Sequence, residues 1–334
     1  MRRWIALLIA PLALLAAACA NEAVAPETTG TAADEATATA PLPTDTPAPG
    51  SELLVVNHNI LHGLTNEDLE AQPFDRVAER IEIIASQLAE LRPDIITLQE
   101  VLVSTPEGYP DIRGLLLAAL GGEYTAVFGG LNGDPIDGGG LGQMTFTRLE
   151  IRSTENRSVG LIFASGGSVR AVHRVTVETE SGLIDIYNVH LEGTEPDPQL
   201  AIDEIEKVLA FIEETRSGTG PVILAGDFNA TPGDPSIQAL LAAGFVDALV
   251  AGGDATCEGV GDPGCTSGTK PLGDNPENTT SRRIDYIFIL PGTEFSLDAR
   301  QASLFLNAPA TLGDGRLLWA SDHIGVQALL ELSR

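Results

Sequence analysis

Five short segments of this 334-residue chain carry side chains that can do chemistry, and each adjoins an apolar run. They are Asn57-His58-Asn59 with His62 just behind it, Gln99-Glu100, Tyr187-Asn188-Val189-His190, Asp227-Phe228-Asn229, and Asp285 together with Ser321-Asp322-His323. Glu100, Asp322 and Asn59 are hard oxygen donors with no thiolate cluster beside them, a set that selects Mg2+, with Mn2+ and Ca2+ as alternatives, over zinc. Histidine among carboxylates supplies an acid or a base near neutral pH. Asparagine and protonated histidine donate hydrogen bonds to non-bridging phosphoryl oxygens, where charge accumulates. The combination fits metal-assisted attack of water on a phosphoester. Each segment alone has a plainer reading: Gly-Asp-Asn suits a turn, Glu100 a solvated carboxylate, His190 a satisfied core histidine. Asp285 is harder to dismiss, because an aspartate between Ile284 and Tyr286 in a buried-looking strand is costly unless paired. Asp322-His323 supplies a partner, and the concurrence of all five segments points to a site.

The elements that must position these residues are mostly strands. The apolar run from Val222 to Phe228 reads as a buried strand, and its period of two sends Asp227 and Asn229 to one side. Similar runs occur at Leu53 to Ile60, Ile95 to Leu98, Tyr124 to Phe128, Met144 to Thr147, Val169 to Val177, Ile184 to Leu191, Ile284 to Leu290 and Ile324 to Leu332. Helical spacing of apolar residues predicts helices over Asp75 to Leu91, with Pro93 beyond the end, and over Gln199 to Thr215. Many strands with few helices between them predict mixed sheets rather than a doubly wound parallel sheet. No long biased linker divides residues 51–334, so one layered α/β domain is expected there.

Four motifs in this order, Asp94-Ile95-Ile96-Thr97-Leu98-Gln99-Glu100, Gly226-Asp227-Phe228-Asn229, Arg283-Ile284-Asp285-Tyr286-Ile287 and Ser321-Asp322-His323, resemble those of the endonuclease/exonuclease/phosphatase superfamily. That family has the DNase I-like fold and includes apurinic endonucleases, secreted DNases, neutral sphingomyelinases and inositol phosphatases. The resemblance implies a four-layer sandwich of two mixed β-sheets flanked by helices. It implies that Glu100 holds a divalent metal, with Asn59 and Asp322 as inner or outer ligands. His323 and Asp285 become a base and its orienter, Asp227 and Asn229 position water and phosphate, and His190 donates to a phosphate oxygen. Whether Asp227 or His323 removes the proton is left open by the resemblance. It also nominates Tyr187 as a catalytic residue and His62 and Arg148 as substrate contacts. Leu61 stands where the nuclease branch often carries a carboxylate, which disfavours an apurinic endonuclease. A non-catalytic binder of this fold would be expected to lose charged site residues, and here they are all present.

The first residues predict where such an enzyme would work. Arg2 and Arg3 precede an apolar stretch to Ala18, a secretion signal over residues 1–18 that is too short to span a membrane. Ala16-Ala17-Ala18-Cys19 resembles the lipobox of bacterial lipoproteins, in which Cys19 is lipidated; ordinary signal cleavage is the alternative. Residues 19–50 are rich in Ala, Thr, Pro, Glu and Asp and cannot bury enough surface to offset ordering, so they read as a tether spanning about 30 Å. The expectation is an exported protein, lipid-anchored at a bacterial cell surface or periplasmic face, touching the membrane only through that lipid.

A net charge of -28 makes the chain self-repelling and monomeric in expectation, with no general attraction to DNA or anionic lipid. Bound cations can reverse the field locally, so a polyanionic substrate, nucleic acid included, stays open. Lysine is confined to Lys207 and Lys270 among 19 basic residues, which leaves arginine forks for phosphate. Outside the cytoplasm Cys257 and Cys265 are expected to form a disulfide. They sit in an acidic loop from Gly252 to Thr280 that either walls a substrate cleft or is a surface insertion. A small or lipid-derived phosphodiester is favoured as substrate, extracellular DNA comes second, and the position beside a membrane is the reason.

Overall fold

The computed structural model describes residues 52–61, 75–103, 111–130, 141–162, 168–193, 198–253, 255–268 and 276–333. The signal segment, Cys19, the tether and His62 lie outside them. In chain order the elements are β1 (Glu52–Asn59), α1 (Asp75–Leu91), β2 (Ile95–Leu102), α2 (Ile112–Leu120), β3 (Thr125–Gly130), β4 (Leu141–Thr147), β5 (Glu150–Ile162), β6 (Ser168–Thr179) and β7 (Gly182–His190). There follow α3 (Pro198–Thr215), β8 (Val222–Asp227), α4 (Pro235–Ala242), β9 (Val246–Asp247), α5 (Ala248–Gly252), β10 (Ser267–Gly268), β11 (Thr280–Arg282), β12 (Asp285–Leu290), β13 (Ser296–Phe305), β14 (Ala310–Thr311), β15 (Leu317–Leu318) and β16 (Gly325–Ser333).

Two six-stranded sheets result, ordered β13-β16-β1-β2-β4-β3 and β5-β6-β7-β8-β12-β9. Each contains one parallel pair, β1 with β2 and β7 with β8, and the other pairs are antiparallel. A parallel pair needs a crossover, and the two long helices supply it: α1 between β1 and β2, α3 between β7 and β8. Val77, Ile81, Ile84 and Leu88 of α1 pack on Val56, Ile96, Leu98 and Phe146 of the first sheet. Ile205, Val208, Phe211 and Ile212 of α3 pack on Val222, Leu224, Tyr187 and Phe288 of the second. Between the sheets lies a third cluster that includes Val55, Ile95, Ile184, Ile186, Ile223, Ala225, Ile287, Val326 and Ala328. The order helix, sheet, sheet, helix is the four-layer sandwich that the sequence predicts.

Strand alternation decides what faces the space between the sheets. Val55 and Ile95 point there, so Asn57, Thr97 and Gln99 must do so as well, one pleat at a time towards the strand ends. Ile184 and Ile186 carry Asn188 and His190 to the same face, and Ile223 and Ala225 carry Asp227. The intersheet layer is therefore aliphatic in its middle and polar at one end. At that end Gln99 Nε2 donates to Asn57 Oδ1 and to Asn188 Oδ1, both at 2.8 Å. Asn188 Nδ2 donates to the Leu98 and Met144 carbonyls, Asn57 Nδ2 to Gly226 O, and Gln143 Nε2 to Ala171 O. All of these bonds but the one from Gln99 to Asn57 cross from sheet to sheet, and they set the distance between the sheets where the site begins.

Gln99→Leu removes the donor that Asn188 Oδ1 uses while keeping a similar volume. Leaving a buried acceptor unpaired costs about 1–3 kcal/mol, so urea denaturation of the variant should show a fall of that size. An unchanged unfolding free energy would mean that the amide seam does not hold the sheets.

Candidate active site

The two parallel pairs end at the same edge of the sandwich. Asn59 closes β1, Glu100 lies near the end of β2, His190 closes β7 and Asp227 closes β8. Asp285 opens β12 opposite Asp227, and His323 precedes β16, whose first residues lie beside the end of β1. Alternation alone would turn Glu100 outwards with Ile96 and Leu98. A bulge between Leu98 and Val101 and a left-handed backbone at Glu100, φ 58°, turn its carboxylate to the site. Asp227 Oδ2 is the focus of the cluster. Asn59 Nδ2 donates to it at 3.0 Å and to Glu100 Oε1 at 3.1 Å. His190 Nε2 stands 3.5 Å from the same oxygen and His323 Nε2 3.8 Å. The other Asp227 oxygen accepts the Asn229 N–H at 2.8 Å. Behind His323, Asp285 Oδ2 lies 2.9 Å from Nδ1 and fixes the ring.

Burying these charges together sets their protonation. Burial, reinforced by the neighbouring Asp285 charge, pushes Asp227 up to about 7, against the pull of His323, Asn59 and the Asn229 N–H. Burial works to deprotonate His323, but the Asp285 and Asp227 carboxylates outweigh it and hold its pKa well above the ordinary imidazole value. Burial also raises Asp322, where the Glu100 charge adds to the effect and His323 and Arg80 oppose it. Glu100 and Asp322 thus act on each other as like charges at one place, a repulsion that a cation would relieve. Asp227, Asp285 and His323 also bring three ligand atoms within 4.8 Å of one another, and buried Asp285 Oδ1 has no hydrogen-bond partner among the described residues. A protonated His323 has no lone pair to give a metal, so the hard oxygen donors Glu100 and Asp322 are the pair that fits a divalent cation.

Comparison with known proteins identifies the family of the span that carries these residues. The model of the endonuclease/exonuclease/phosphatase family matches residues 56–323, the span that runs from the Asn57 segment to His323. The chain belongs to the endonuclease/exonuclease/phosphatase family. Among solved structures it is similar to a family protein from Bacteroides thetaiotaomicron, at TM-score 0.65 and 18% identity over 85% of this chain and 95% of that one. A family protein from Bacteroides vulgatus gives TM-score 0.62 and 19% identity, covering 84% of this chain and 99% of that one. D. rerio TDP2 complexed with a single-strand DNA product gives TM-score 0.60 and 21% identity, covering 84% and 98%. At these identities the likeness is one of fold, the DNase I-like sandwich. No curated protein sequence matches the chain at a significant level.

Within this family frame several residues read from the sequence take other places. Tyr187 is corrected: it is three residues from His190, so alternation turns it to the opposite face. There its hydroxyl pairs with Thr215 Oγ1 at 2.9 Å and its ring packs edge-on against Phe211. Arg148 is corrected too. It follows β4 where that strand pairs with the start of β2, the far end of the sheet from Glu100, and its guanidinium pairs with Asp94 at 2.6 Å. Asn229 lies past the end of β8 with φ 49°, so it does not share a strand face with Asp227. Its Nδ2 instead donates to Leu191 O at 3.0 Å, tying the turn after Asp227 to the segment after His190. Asn59 presents its amide nitrogen to the carboxylates while Oδ1 accepts from Leu61 N, so that it bridges Glu100 and Asp227.

Two residues help hold the site together, Arg80, which the sequence reading passed over, and Ser321, which it named in a motif without a role of its own. Arg80, buried on α1, donates to the carbonyls of Ile60, Leu61 and Ala320, clasping the segments that carry Asn59 and Asp322. An arginine beside Val77 and Ile81 on the apolar face of a helix was the available signal. Ser321 Oγ donates to Asn59 O at 2.7 Å and accepts from His323 N at 3.1 Å.

In the metal-free protein the folded state binds the Asp227 proton more tightly than the unfolded chain, where the group titrates at 3.8. The stability linked to it is complete below about pH 4 and is lost as pH rises through about 7. Asp227→Asn removes this dependence, so in EDTA its melting temperature should gain on the wild type between about pH 5 and about pH 8. A constant difference across that range would refute the upward shift. Tyr187→Phe should cost about 1 kcal/mol of stability and leave turnover of any phosphoester unchanged; a loss of turnover would return Tyr187 to the site.

Proposed function

We propose that the chain is an exported, lipid-anchored hydrolase that uses a divalent cation, Mg2+ in the first instance, to cleave a phosphodiester of small or lipid-derived type. The observation that carries hydrolysis is the convergence of Asn59, His190 and His323 on one oxygen of buried Asp227, at 3.0, 3.5 and 3.8 Å. A carboxylate pushed to about 7 is matched to accepting a proton from water near neutral pH. His323, held as a cation by Asp285, is suited to donate to a phosphoryl oxygen and not to remove that proton. Asp227 is therefore the base in this reading, and His190 a second donor to the phosphate. Glu100 and Asp322 would hold the cation, which when bound neutralises phosphoryl oxygens and polarises the ester bond. Export and lipid anchoring rest on the signal-like residues 1–18 and on Cys19. The acidic, lysine-poor body, self-repelling and so monomeric, supports a substrate smaller than duplex DNA.

A nucleic-acid end is the second reading, favoured by the likeness in fold to D. rerio TDP2 bound to a single-strand DNA product. Release of nitrophenol from bis(p-nitrophenyl) phosphate, with EDTA as control, tests the hydrolase. Asp227→Asn and His323→Ala should each lower kcat by about 10²–10⁴-fold, while Tm shows the variants folded. Undiminished turnover in His323→Ala would remove the mechanism, and no release with any divalent metal would favour a binding protein. Parallel assays on sphingomyelin micelles and single-stranded DNA separate the substrates; binding that weakens steeply with salt would favour DNA.

A further inference from the structure

The Asp285–His323 hydrogen bond joins two sheets, since Asp285 opens β12 of one and His323 leads into β16 of the other. Its length depends on how those two strand starts are held relative to each other. One buried residue bonds to both. Thr266 Oγ1 accepts the N–H groups of Ile284 and Asp285, each at 3.1 Å, and Thr266 N donates to Arg282 O at 2.8 Å. On the other side Thr266 O accepts Ile324 N at 2.7 Å, and Ser267 forms a bridge with His323. Thr266 is completely buried.

What holds Thr266 is the loop that the sequence offered as a cleft wall or an idle insertion. Cys265, immediately before it, is buried and disulfide-bonded to Cys257. Within the loop Gly264 N donates to Thr256 O at 2.7 Å, Cys265 N to Asp262 O at 3.0 Å, and Asp262 Oδ2 accepts the N–H groups of Glu258 and Gly259. Gly261 N donates to Thr280 O, and Thr280 Oγ1 returns to Cys265 O at 3.3 Å, fastening the loop to β11. The described part of this loop is thus bonded to both strand starts that carry the pair.

We propose that Thr266 is a positioning residue for the Asp285–His323 pair, and that the Cys257–Cys265 disulfide keeps it in register. This rests on the hydrolase reading, because the pair matters only if it acts in turnover. Valine at 266 keeps the shape but orphans two buried N–H groups next to Asp285, whereas serine keeps the acceptor. In the whole chain with Mn2+ and bis(p-nitrophenyl) phosphate, Thr266→Val should lower kcat by about 10–100-fold, the usual effect of a small misplacement, with KM held. Thr266→Ser should restore kcat. Replacing both cysteines by serine should lower kcat in the same sense, again with KM held; an unchanged kcat would overturn the role of the disulfide. A readout without turnover is the downfield proton resonance of the His323–Asp285 bond, assigned by its absence in His323→Gln. It should vanish in Thr266→Val and persist in Thr266→Ser. Wild-type kcat in Thr266→Val, or a resonance that persists there, would overturn the proposal. If the wild type releases no nitrophenol, the hydrolase reading fails and the resonance alone decides whether Thr266 positions the pair.

Discussion

The carboxylate of Asp227 is almost wholly removed from water at the point where two sheets meet, and much of the structure is arranged around that fact. A buried charge without partners is too costly to keep. Asn59 reaches it from one sheet; the Asn229 N–H, His190 and Asp285 surround it from the other, and His323 stands across. None of these groups is close to it in sequence except Asn229. Folding must therefore be complete before the charge is compensated, which couples the chemistry of the site to the closure of the sandwich.

That closure follows from topology. One parallel pair in each sheet forces one long crossover helix over each outer face, and it also brings four strand ends to one edge. The antiparallel neighbours β12 and β16 run the other way, so their starting residues arrive at the same edge. A single arrangement of directions thus delivers Asn59, Glu100, His190, Asp227, Asp285 and His323 to one place from strand ends and starts. The polar seam of Asn57, Gln99 and Asn188 marks the transition from aliphatic interior to site.

Much of this could be read from the chain because it is local. The helix over Asp75 to Leu91 and the central strands are strongly periodic, and the charged residues at their ends could be picked out one by one. The edge strands β5 and β13 were not read, because solvent on their exposed positions breaks the alternation that identifies a buried strand: most of Glu150 to Ser158 is exposed or half-exposed. Tyr187 was misplaced by ignoring parity within its own strand, and Arg148 by not knowing which end of β4 meets Glu100. Asn229 was misread because the strand ends at Asp227 and Asn229 itself takes a left-handed backbone, which breaks the alternation. The parts played by Arg80 and Thr266 are set by partners tens to hundreds of residues away, and no local pattern carries that information.

Glu100 sits at a bulge with positive φ, a conformation that costs a residue with a side chain about 1–2 kcal/mol relative to glycine. Selection for thermal stability alone would drift this position towards glycine or asparagine, relaxing the backbone and erasing the carboxylate at one stroke. Keeping glutamate there is a standing trade of robustness for chemistry. In a set of stabilised variants, position 100 is therefore where gain in melting temperature and loss of the site would coincide.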